Sequence, residues 1–291
     1  MHPLCSRIWL LVLAALSAPP TFASAGWIGN NANPSNIYDI NISTGAATNA
    51  RSTGLTSTLS GITYDPTSGN VYGLTALDGA TPNSLVRINP VTGTATLVGS
   101  TGLQRLFEGD LAFSPITGVL YGIDQNPDSN NFQLNLFQIN PTTGHGTVIG
   151  PVNSTTEEFD FSALAFDSAG TLYTIEDAAV SANSVLYTLN PATGARLTSV
   201  PLNVNFGTTA ALAFDPVTGT AYIADGGSGS TNKLYTLNTT TGVATMIGPL
   251  GDAQGLAGLT FVPQVPEPSS FALITVAVSG LALLRRLKCR S

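Results

Sequence analysis

The sequence predicts an all-β protein, a five-bladed β-propeller that lies between an N-terminal export signal and a C-terminal hydrophobic tail. A strand-and-turn unit recurs five times at nearly constant spacing. Turn formers are abundant, with 30 Gly and 18 Pro, whereas only 9% of the residues are charged. Short strands separated by frequent turns are typical of propellers, in which each blade is a four-stranded sheet.

The repeated unit is an apolar-aromatic-x-apolar-Asn strand followed by a turn that ends in Thr-Gly. Its five copies are Ile37–Asn41, Leu85–Asn89, Leu136–Asn140, Leu186–Asn190 and Leu234–Asn238. The turn glycines are Gly45, Gly93, Gly144, Gly194 and Gly242, and they are spaced 48, 51, 50 and 48 residues apart. In Asn-Pro-x-Thr-Gly, Asn caps the turn, Pro presets φ and Gly accepts the left-handed conformation. The unit therefore predicts a hairpin in every blade.

A second repeat predicts the innermost strand of each blade. Its copies are Ile62–Pro66, Leu111–Pro115, Leu164–Ser168, Leu212–Pro216 and Leu259–Pro263. Alternation of large and small residues, as in Leu111-Ala112-Phe113, suits a strand that packs on both faces. The recurring Tyr72, Tyr121, Tyr173 and Tyr222 of the following strand are interpreted as packing between blades.

The count of strands predicts how the ring closes. The last inner strand, Leu259–Pro263, lacks three partners, and the segments Trp27–Asn30, Ile37–Asn41 and Ala46–Ala50 can supply them. We expect Trp27-Ile28-Gly29-Asn30 to align with Tyr222–Asp225. Joining both ends in one blade leaves no sheet edge open at the closure. Four or six blades are the alternatives, and a β-solenoid is disfavoured because its coils need a shorter repeat.

The N-terminus, residues 1–25, is predicted to be a secretory signal that directs the chain to the Sec translocon. Arg7 precedes the apolar run Ile8–Ser17, and Ala23-Ser24-Ala25 offers small residues for cleavage before Gly26. The alternative is an N-terminal membrane anchor, but the run is too short to span a bilayer. The propeller then occupies residues 26–263.

The tail, residues 264–291, has three parts in a fixed order. Val265-Pro266-Glu267-Pro268 is a stiff, non-helical segment, residues 271–284 are apolar, and a basic end follows with Arg285, Arg286, Lys288 and Arg290. As a helix the 14 apolar residues would span about 21 Å, less than the roughly 30 Å of a bilayer core. The basic end is expected to stay on the cytoplasmic side.

This order resembles PEP-CTERM sorting signals, and the resemblance covers about the last 27 residues. It implies recognition and processing by an exosortase-type membrane enzyme, after transient anchoring of the hydrophobic helix in the inner membrane. It also implies a destination at the cell surface or in the extracellular matrix, often in bacteria that make exopolysaccharide. The alternative is an ordinary single-pass anchor, which needs no Pro-Glu-Pro.

The repeats also resemble extracellular bacterial propellers with Leu-Tyr-x-Ile-Asn-Pro-x-Thr-Gly units, over nearly all of residues 36–263. That resemblance implies a fold, and propellers carry many functions. The composition of the predicted propeller reduces the number of possible functions. Between Gly26 and Gln264 the sequence has 16 acidic and five basic residues, a net charge of −11, which argues against nucleic acid and anionic lipid and favours cations or neutral sugars.

Other chemistries are limited by the residue inventory. Cys5 and Cys289 lie outside the propeller, which has no disulfide and no thiol nucleophile, and His145 is its only histidine. A multi-histidine metal site is therefore excluded there. Asp65, Asp167 and Asp215 each precede a turn and are interpreted as caps.

The longer connections are predicted to collect at one end of the propeller together with most of its acids. These acids are Asp78, Glu108, Asp110, Asp124, Asp128, Glu157, Glu158, Asp160, Glu176, Asp177, Asp225 and Asp252. Phe107, Phe132, Phe159 and Phe206 lie in or near the same loops. An acidic rim with aromatic residues predicts a ligand site at this end.

Three functional hypotheses follow from these residues. The first is a Ca²⁺-binding, lectin-like module. Calcium loops carry oxygen ligands at alternate positions, as do Asp124, Asn126 and Asp128. The glycine at the sixth position and the acid at the twelfth position of an EF-hand are missing here. Glu108, Asp110 and Asp160 are candidates for the acid and base of a glycoside hydrolase or lyase acting on extracellular polysaccharide. The preferred hypothesis is a non-catalytic binding or scaffold module without a cofactor, associated with exopolysaccharide.

Overall fold

The computed structural model describes residues 26–107, 109–126, 133–153, 160–177, 183–206, 210–226, 232–251, 253 and 255–263. The predicted signal and tail lie outside these residues, and with them Ala23, Ala25, Val265–Pro268 and the basic end. Within the described ranges, no helix is long and apolar enough to cross a membrane. The described residues belong to one compact unit.

The described residues form twenty short strands. In chain order they are β1 (Gly26–Asn30), β2 (Asn36–Ile40), β3 (Ala47–Ser52), β4 (Leu59–Tyr64), β5 (Val71–Thr75), β6 (Ser84–Ile88), β7 (Ala95–Ser100), β8 (Leu111–Phe113), β9 (Leu120–Gln125), β10 (Asn135–Ile139), β11 (Gly146–Pro151), β12 (Asp160–Phe166), β13 (Leu172–Asp177), β14 (Val185–Leu189), β15 (Arg196–Pro201), β16 (Ala210–Phe214), β17 (Ala221–Asp225), β18 (Lys233–Leu237), β19 (Ala244–Pro249) and β20 (Gly258–Val262).

The strands pair into five antiparallel four-stranded sheets, which confirms the predicted five-bladed propeller. Blade 1 is β4–β7, blade 2 is β8–β11, blade 3 is β12–β15 and blade 4 is β16–β19. Blade 5 has the order β20-β1-β2-β3. The inner strands β4, β8, β12, β16 and β20 contact one another in sequence, and β20 returns to β4. The blades thus form a closed ring around a central channel.

Blade 5 joins the two ends of the described chain, as predicted. In its β1–β20 pair, Trp27 lies opposite Phe261 and Ile28 opposite Thr260. In blade 4, Tyr222 lies opposite Ala213, the residue equivalent to Thr260. Ile28, and not Trp27, is therefore the equivalent of Tyr222, and the expected alignment was wrong by one residue.

Each interface between neighbouring blades has its own hydrophobic cluster. Blades 1 and 2, for example, share a cluster in which Leu74 and Leu85 pack against Leu111 and Phe137. Ala112 faces the opposite way and packs in the cluster between blades 2 and 3. Five such clusters surround the channel. The large-small alternation of the inner strands therefore reflects packing on two faces, as predicted.

Polar side chains on the inner strands link neighbouring blades across the channel wall. The Thr260 hydroxyl accepts the Tyr64 N–H at 3.1 Å. The Ser162 hydroxyl accepts the Ala210 N–H at 2.9 Å. These bonds satisfy backbone donors on the axis-facing edges of inner strands, which have no ladder partner there.

The turn after the third strand of every blade, and the turn after the inner strand in blades 1 to 4, close at the same end of the sheet because the strands alternate in direction. The Asn89 Oδ1 accepts the N–H groups of Val91 and Thr92 at 2.9 and 3.1 Å, which confirms the predicted capping role of Asn. The Asp215 Oδ1 accepts those of Val217 and Thr218 at 2.8 and 2.9 Å. We call this the short-turn end of the propeller and the opposite end the long-loop end.

Candidate functional site

An open cavity of about 540 Å³ lies on the propeller axis at the short-turn end. All five inner strands contribute to its wall through their last residues. We call it the axial cavity. Its volume falls in the range of about 300–1,000 Å³ that is usual for small-molecule sites. The ligand site predicted from the acids was at the other end of the molecule.

Five aromatic side chains line the axial cavity, one from the equivalent position of each inner strand. They are Tyr64, Phe113, Phe166, Phe214 and Phe261. All five are half-buried, whereas the residue just before each of them is buried. The strand direction explains this difference. The aromatic residue near the end of the inner strand lies at the mouth of the axial cavity, whereas the residue before it packs between neighbouring blades. The five side chains form an aromatic wall that a ligand on the axis can contact.

Tyrosines of the second strands hold three of these aromatic side chains in place. Tyr72 packs against Phe113 of the next blade, with ring centroids 5.9 Å apart. The same contact recurs between Tyr121 and Phe166 at 5.4 Å. Tyr173 and Phe214 repeat it at 5.2 Å. The predicted role of the tyrosines in packing between blades is confirmed, and the contacts fix the wall of the cavity.

At the interface between blades 4 and 5, Trp27 contacts both the tyrosine of blade 4 and the cavity-wall residue of blade 5, whereas Ile28 occupies the tyrosine position of blade 5. The Trp27 ring packs against Phe261 at 5.6 Å and against Tyr222 of blade 4 at 5.0 Å. One side chain thus joins the closing strand, the fourth blade and the cavity wall.

Polar groups in the cavity wall are few. Thr63 and Thr260 contribute from inner strands, and Asp167, Ser168 and Asp215 contribute from the turns that follow. The two carboxylates also cap their turns: the Asp167 Oδ1 accepts the N–H groups of Ala169 and Thr171 at 3.0 and 2.8 Å. An apolar wall with a small number of fixed polar groups is the usual composition of a ligand pocket.

Asp110, a predicted catalytic candidate, lies in the channel wall and is fully buried. Its Oδ1 accepts the Leu111 N–H at 2.8 Å, and its Oδ2 accepts the Leu164 N–H of β12 at 3.4 Å. Burial raises the pKa of this carboxyl well above its usual range, although backbone hydrogen bonds from Leu111, Leu164 and Ile62 oppose the effect. The side chain therefore connects inner strands of three blades. A raised pKa is what a general acid needs, and in this structure backbone donors of the inner strands engage both oxygens of the carboxyl.

The other two catalytic candidates are not described: Glu108 lies outside the described residues, and so does the side chain of Asp160. Of the predicted calcium ligands, Asp124 and Asn126 are buried near the long-loop end, and Asp128 lies outside the described residues. Asp124 has a left-handed backbone with φ of +74°. In the part of the chain that is described, no group of three His, Cys, Asp or Glu side chains could hold a metal ion.

The predicted acidic rim at the long-loop end is partly an interior feature. Asp110, Asp124 and Glu176 are all buried. The Glu176 Oε2 accepts the Tyr187 hydroxyl at 2.7 Å, and burial together with this bond raises the pKa of Tyr187 to about 12. The Glu176–Tyr187 bond lies within blade 3, whereas Asp110 connects neighbouring blades. The remaining acids of that rim include Asp78, which is exposed and accepts the Thr58 N–H at 2.8 Å.

The aromatic residues expected at the long-loop rim also differ from the expectation. Phe206 is fully buried between blades 3 and 4 and packs against Tyr235, so it does not face a ligand. Phe107 lies beside the Arg105 guanidinium, with 5.1 Å between Cζ and the ring centroid. Phe132 and Phe159 lie outside the described residues.

The aromatic residues of the cavity wall are recognisable in the sequence, but the sequence indicates only their role in packing. The aromatic residue closes each inner-strand repeat just before Asp-Pro, Ser-Pro, Asp-Ser or Val-Pro. Sequence alone interprets it as packing. The structure shows that its exposed part also lines the axis, because the five strand ends converge there.

The fold and the cavity define a five-bladed β-propeller with an open axial pocket. The sequence matches a family described as a domain of unknown function, DUF4394, over residues 50–260, and the chain belongs to this family. A comparison with curated proteins found no match.

Several solved structures are similar to this chain. A protein of unknown function from Bacteroides caccae is 13% identical, with 82% of this chain and 99% of that chain covered and a TM-score of 0.50. TolB from Acinetobacter baumannii is 15% identical, with 82% and 56% covered and a TM-score of 0.45. A GH43 β-1,3-galactosidase is 13% identical, with 67% and 50% covered and a TM-score of 0.48. At these identities the likeness concerns the fold alone.

Proposed function

We propose that this protein is an exported, non-catalytic propeller that binds carbohydrate in its axial cavity at the cell surface or in the extracellular matrix. The supporting observation is the wall of five half-buried aromatic side chains around an open pocket of about 540 Å³. Sugar rings have apolar C–H faces, which pack favourably on aromatic side chains while the hydroxyl groups remain in contact with water or polar side chains.

Rigidity of the wall supports binding without catalysis. The aromatic residues stand at the ends of inner strands, and tyrosines of preceding blades pack against Phe113, Phe166 and Phe214. A pocket held in one geometry loses little conformational entropy when a ligand enters. The carboxylates in its wall, Asp167 and Asp215, each accept backbone hydrogen bonds as turn caps, a role that needs the ionised or amide form and no proton transfer.

Export and sorting form the second part of the proposal and rest on the two ends of the sequence. We infer that residues 1–25 are removed as a signal and that the Val265–Pro268 segment is processed by an exosortase-type enzyme. The propeller ends at Pro263, where strand β20 has already paired with β1, so a cut near Val265–Pro268 leaves all five blades intact. Association with exopolysaccharide agrees with a carbohydrate-binding cavity.

The binding experiment uses the purified protein on a glycan array and on the exopolysaccharide of the producing organism. We expect binding that the double variant Phe166→Leu/Phe214→Leu weakens about tenfold or more, since each aromatic stacking contact contributes about 0.5–1.5 kcal/mol. Phe107→Leu is the matched control, because Phe107 is half-buried and does not line the cavity. Absence of binding to every glycan, or equal binding by both variants, would overturn the proposal.

Mass spectrometry of the extracellular form tests the sorting proposal separately. We expect an N-terminus at Gly26 and the loss of the hydrophobic tail. Recovery of an extracellular chain that still ends in Arg290-Ser291 would contradict processing.

A further inference from the structure

The wall of the axial cavity is negatively charged. Asp167 and Asp215 line it, and Asp65 follows Tyr64 at the equivalent position of blade 1. The described residues that line the cavity include no Lys, Arg or His. The surrounding domain has a net charge of −11 between Gly26 and Gln264, so distant charges reinforce the local sign.

The two carboxylates influence the groups near the cavity. Burial first, and then the negative charge of Asp167, raise the pKa of Tyr173. Burial and the charge of Asp215 do the same to Tyr222. The Tyr173 hydroxyl also donates to the Asp167 Oδ2 at 3.3 Å. Around the cavity, a negative field therefore acts through a partly apolar environment, where charges interact more strongly than in water.

Aromatic side chains combined with carboxylates favour one class of ligand. The face of an aromatic ring attracts a cation, and a carboxylate attracts it further. A uronic acid or a sulfated sugar is repelled by the same carboxylates. A neutral sugar gains the stacking contacts but no electrostatic attraction.

We propose that the axial cavity selects glycans whose sugars carry free, protonated amino groups, which is to say de-N-acetylated amino sugars. This inference rests on the proposed binding of carbohydrate and adds the charge of the ligand. Charge complementarity supports it: the sugar ring packs on Phe166 and Phe214, while its ammonium group lies near the carboxylates of Asp167 and Asp215, which follow these aromatic residues directly in the sequence.

The chain itself offers a conservative variant for the test. Asn238 occupies the turn position of Asp215 in the Asn-type turns, and its Oδ1 accepts the N–H groups of Thr240 and Thr241 at 3.0 Å each. Both turns also close with a glycine N–H donating to the first carbonyl at 2.9 Å. Asn in place of Asp215 therefore keeps the cap and removes only the charge. At Asp167 an Asn Oδ1 can keep the cap, and its NH2 group can donate to the Tyr173 hydroxyl, which donates to the carboxylate in the parent protein. We expect Asp167→Asn/Asp215→Asn to fold and to melt close to the parent protein.

The test measures affinities by calorimetry for three probes: a glucosamine pentasaccharide, its fully N-acetylated counterpart, and an oligouronate of similar length. We expect the parent protein to bind the glucosamine probe at least tenfold more tightly than the N-acetylated one, to bind the oligouronate more weakly than either, and to lose the preference at high salt. The double Asn variant should bind both hexosamine probes with equal affinity. Asp78→Asn, which removes one exposed charge at the long-loop end, should leave the preference unchanged.

The outcomes separate the two proposals. Equal affinity of the parent protein for the free and acetylated probes overturns the preference for amines while carbohydrate binding stands. If the parent protein binds neither hexosamine probe, the proposed preference for amines is overturned. The glycan array then tests whether the protein binds any carbohydrate. A preference that survives in Asp167→Asn/Asp215→Asn overturns the assignment to these two carboxylates.

Discussion

Trp27 packs edge-on against Tyr222, with ring centroids 5.0 Å apart, and thereby joins the closing strand β1 to blade 4. Both side chains are buried, and they share a cluster with Leu256 and Leu259. The contact lies where the first described strand meets the last complete blade. Closure of the propeller therefore depends on a packed aromatic pair as well as on the β1–β20 hydrogen bonds.

Truncation of Trp27 should weaken the whole ring. We expect Trp27→Ala to lower the free energy of unfolding by about 3–5 kcal/mol, because a large cavity replaces a buried aromatic side chain. Chemical denaturation of both proteins measures the difference. Val217→Ala, at a turn residue that is 87% exposed, is the control and should change stability by less than about 0.5 kcal/mol. A Trp27→Ala protein as stable as the control would show that the aromatic pair does not secure the closure.

The absence of a side chain at Gly61 makes room for Asp110. A Cβ at residue 61 would overlap the Asp110 Oδ1 and would lie 2.7 Å from the Asp110 Cα, so a strand of blade 2 would have to move. We expect Gly61→Ala to lower the free energy of unfolding by about 1–3 kcal/mol. Gly26→Ala is the matched control, because its Cβ would meet nothing within 4 Å. Equal stability of the two variants, measured in urea, would show that blades 1 and 2 are not held at this close approach.

The repeats made the fold predictable, since the turn glycines spaced by 48–51 residues count the blades and an incomplete last unit indicates the closure. The one-residue error at β1 came from aligning Trp27 with Tyr222 by aromatic character. Hydrogen-bond register places Ile28 there instead. Gly29 then aligns with Gly73 and Gly122, a match that an alignment based on small residues could have found.

The sequence pointed to a ligand site at the long-loop end, whereas the axial cavity lies at the short-turn end; one reason for this difference is that a sequence does not show which acids are buried. Asp110 precedes a strand, and Asp124 and Glu176 lie near strand ends, so all three look like rim residues in the sequence; yet all three are buried. Conversely, Phe113 looks like a core residue and is half-buried. Phe113 packs on Tyr72, which explains why the repeat units have an aromatic residue at this position. The exposed part of Phe113 becomes apparent only in the structure, where five strand ends converge on one axis.

Calcium provides a test of the long-loop end. Asp124 and Asn126 are buried, at 2% and 7% exposure, which leaves little of either side chain free to turn towards an ion in solvent. We expect calorimetric titration with Ca²⁺ up to the millimolar range to give no binding heat and the melting temperature to stay constant. Mg²⁺ at the same ionic strength is the control. Heat with Ca²⁺ alone, lost in Asp128→Asn, would contradict this expectation and support the calcium hypothesis.

Asp110 should make stability depend on pH in a direction opposite to that of most carboxylates. Burial raises the pKa of its carboxyl in the folded protein, so the folded state holds the proton more tightly than the unfolded state, in which the pKa is about 3.9. The free energy of unfolding should therefore fall as pH rises from the unfolded pKa to the folded one, and should level above it. Asp110→Asn removes this titration. We expect the variant to gain stability relative to the parent protein as pH rises from about 4 to 7.

Urea unfolding of both proteins at several pH values measures that relative stability. Asp78→Asn, at an exposed position, controls for the general effect of removing one negative charge. Because the Asp110 Oδ2 accepts the Leu164 N–H, the amide group of Asn adds a penalty at that contact, but this penalty is the same at every pH. The slope of the difference with pH, and not its sign at one pH, therefore decides the result. A difference between Asp110→Asn and the parent protein that is constant from pH 4 to 7 would show that the buried carboxyl does not hold a proton in the folded protein.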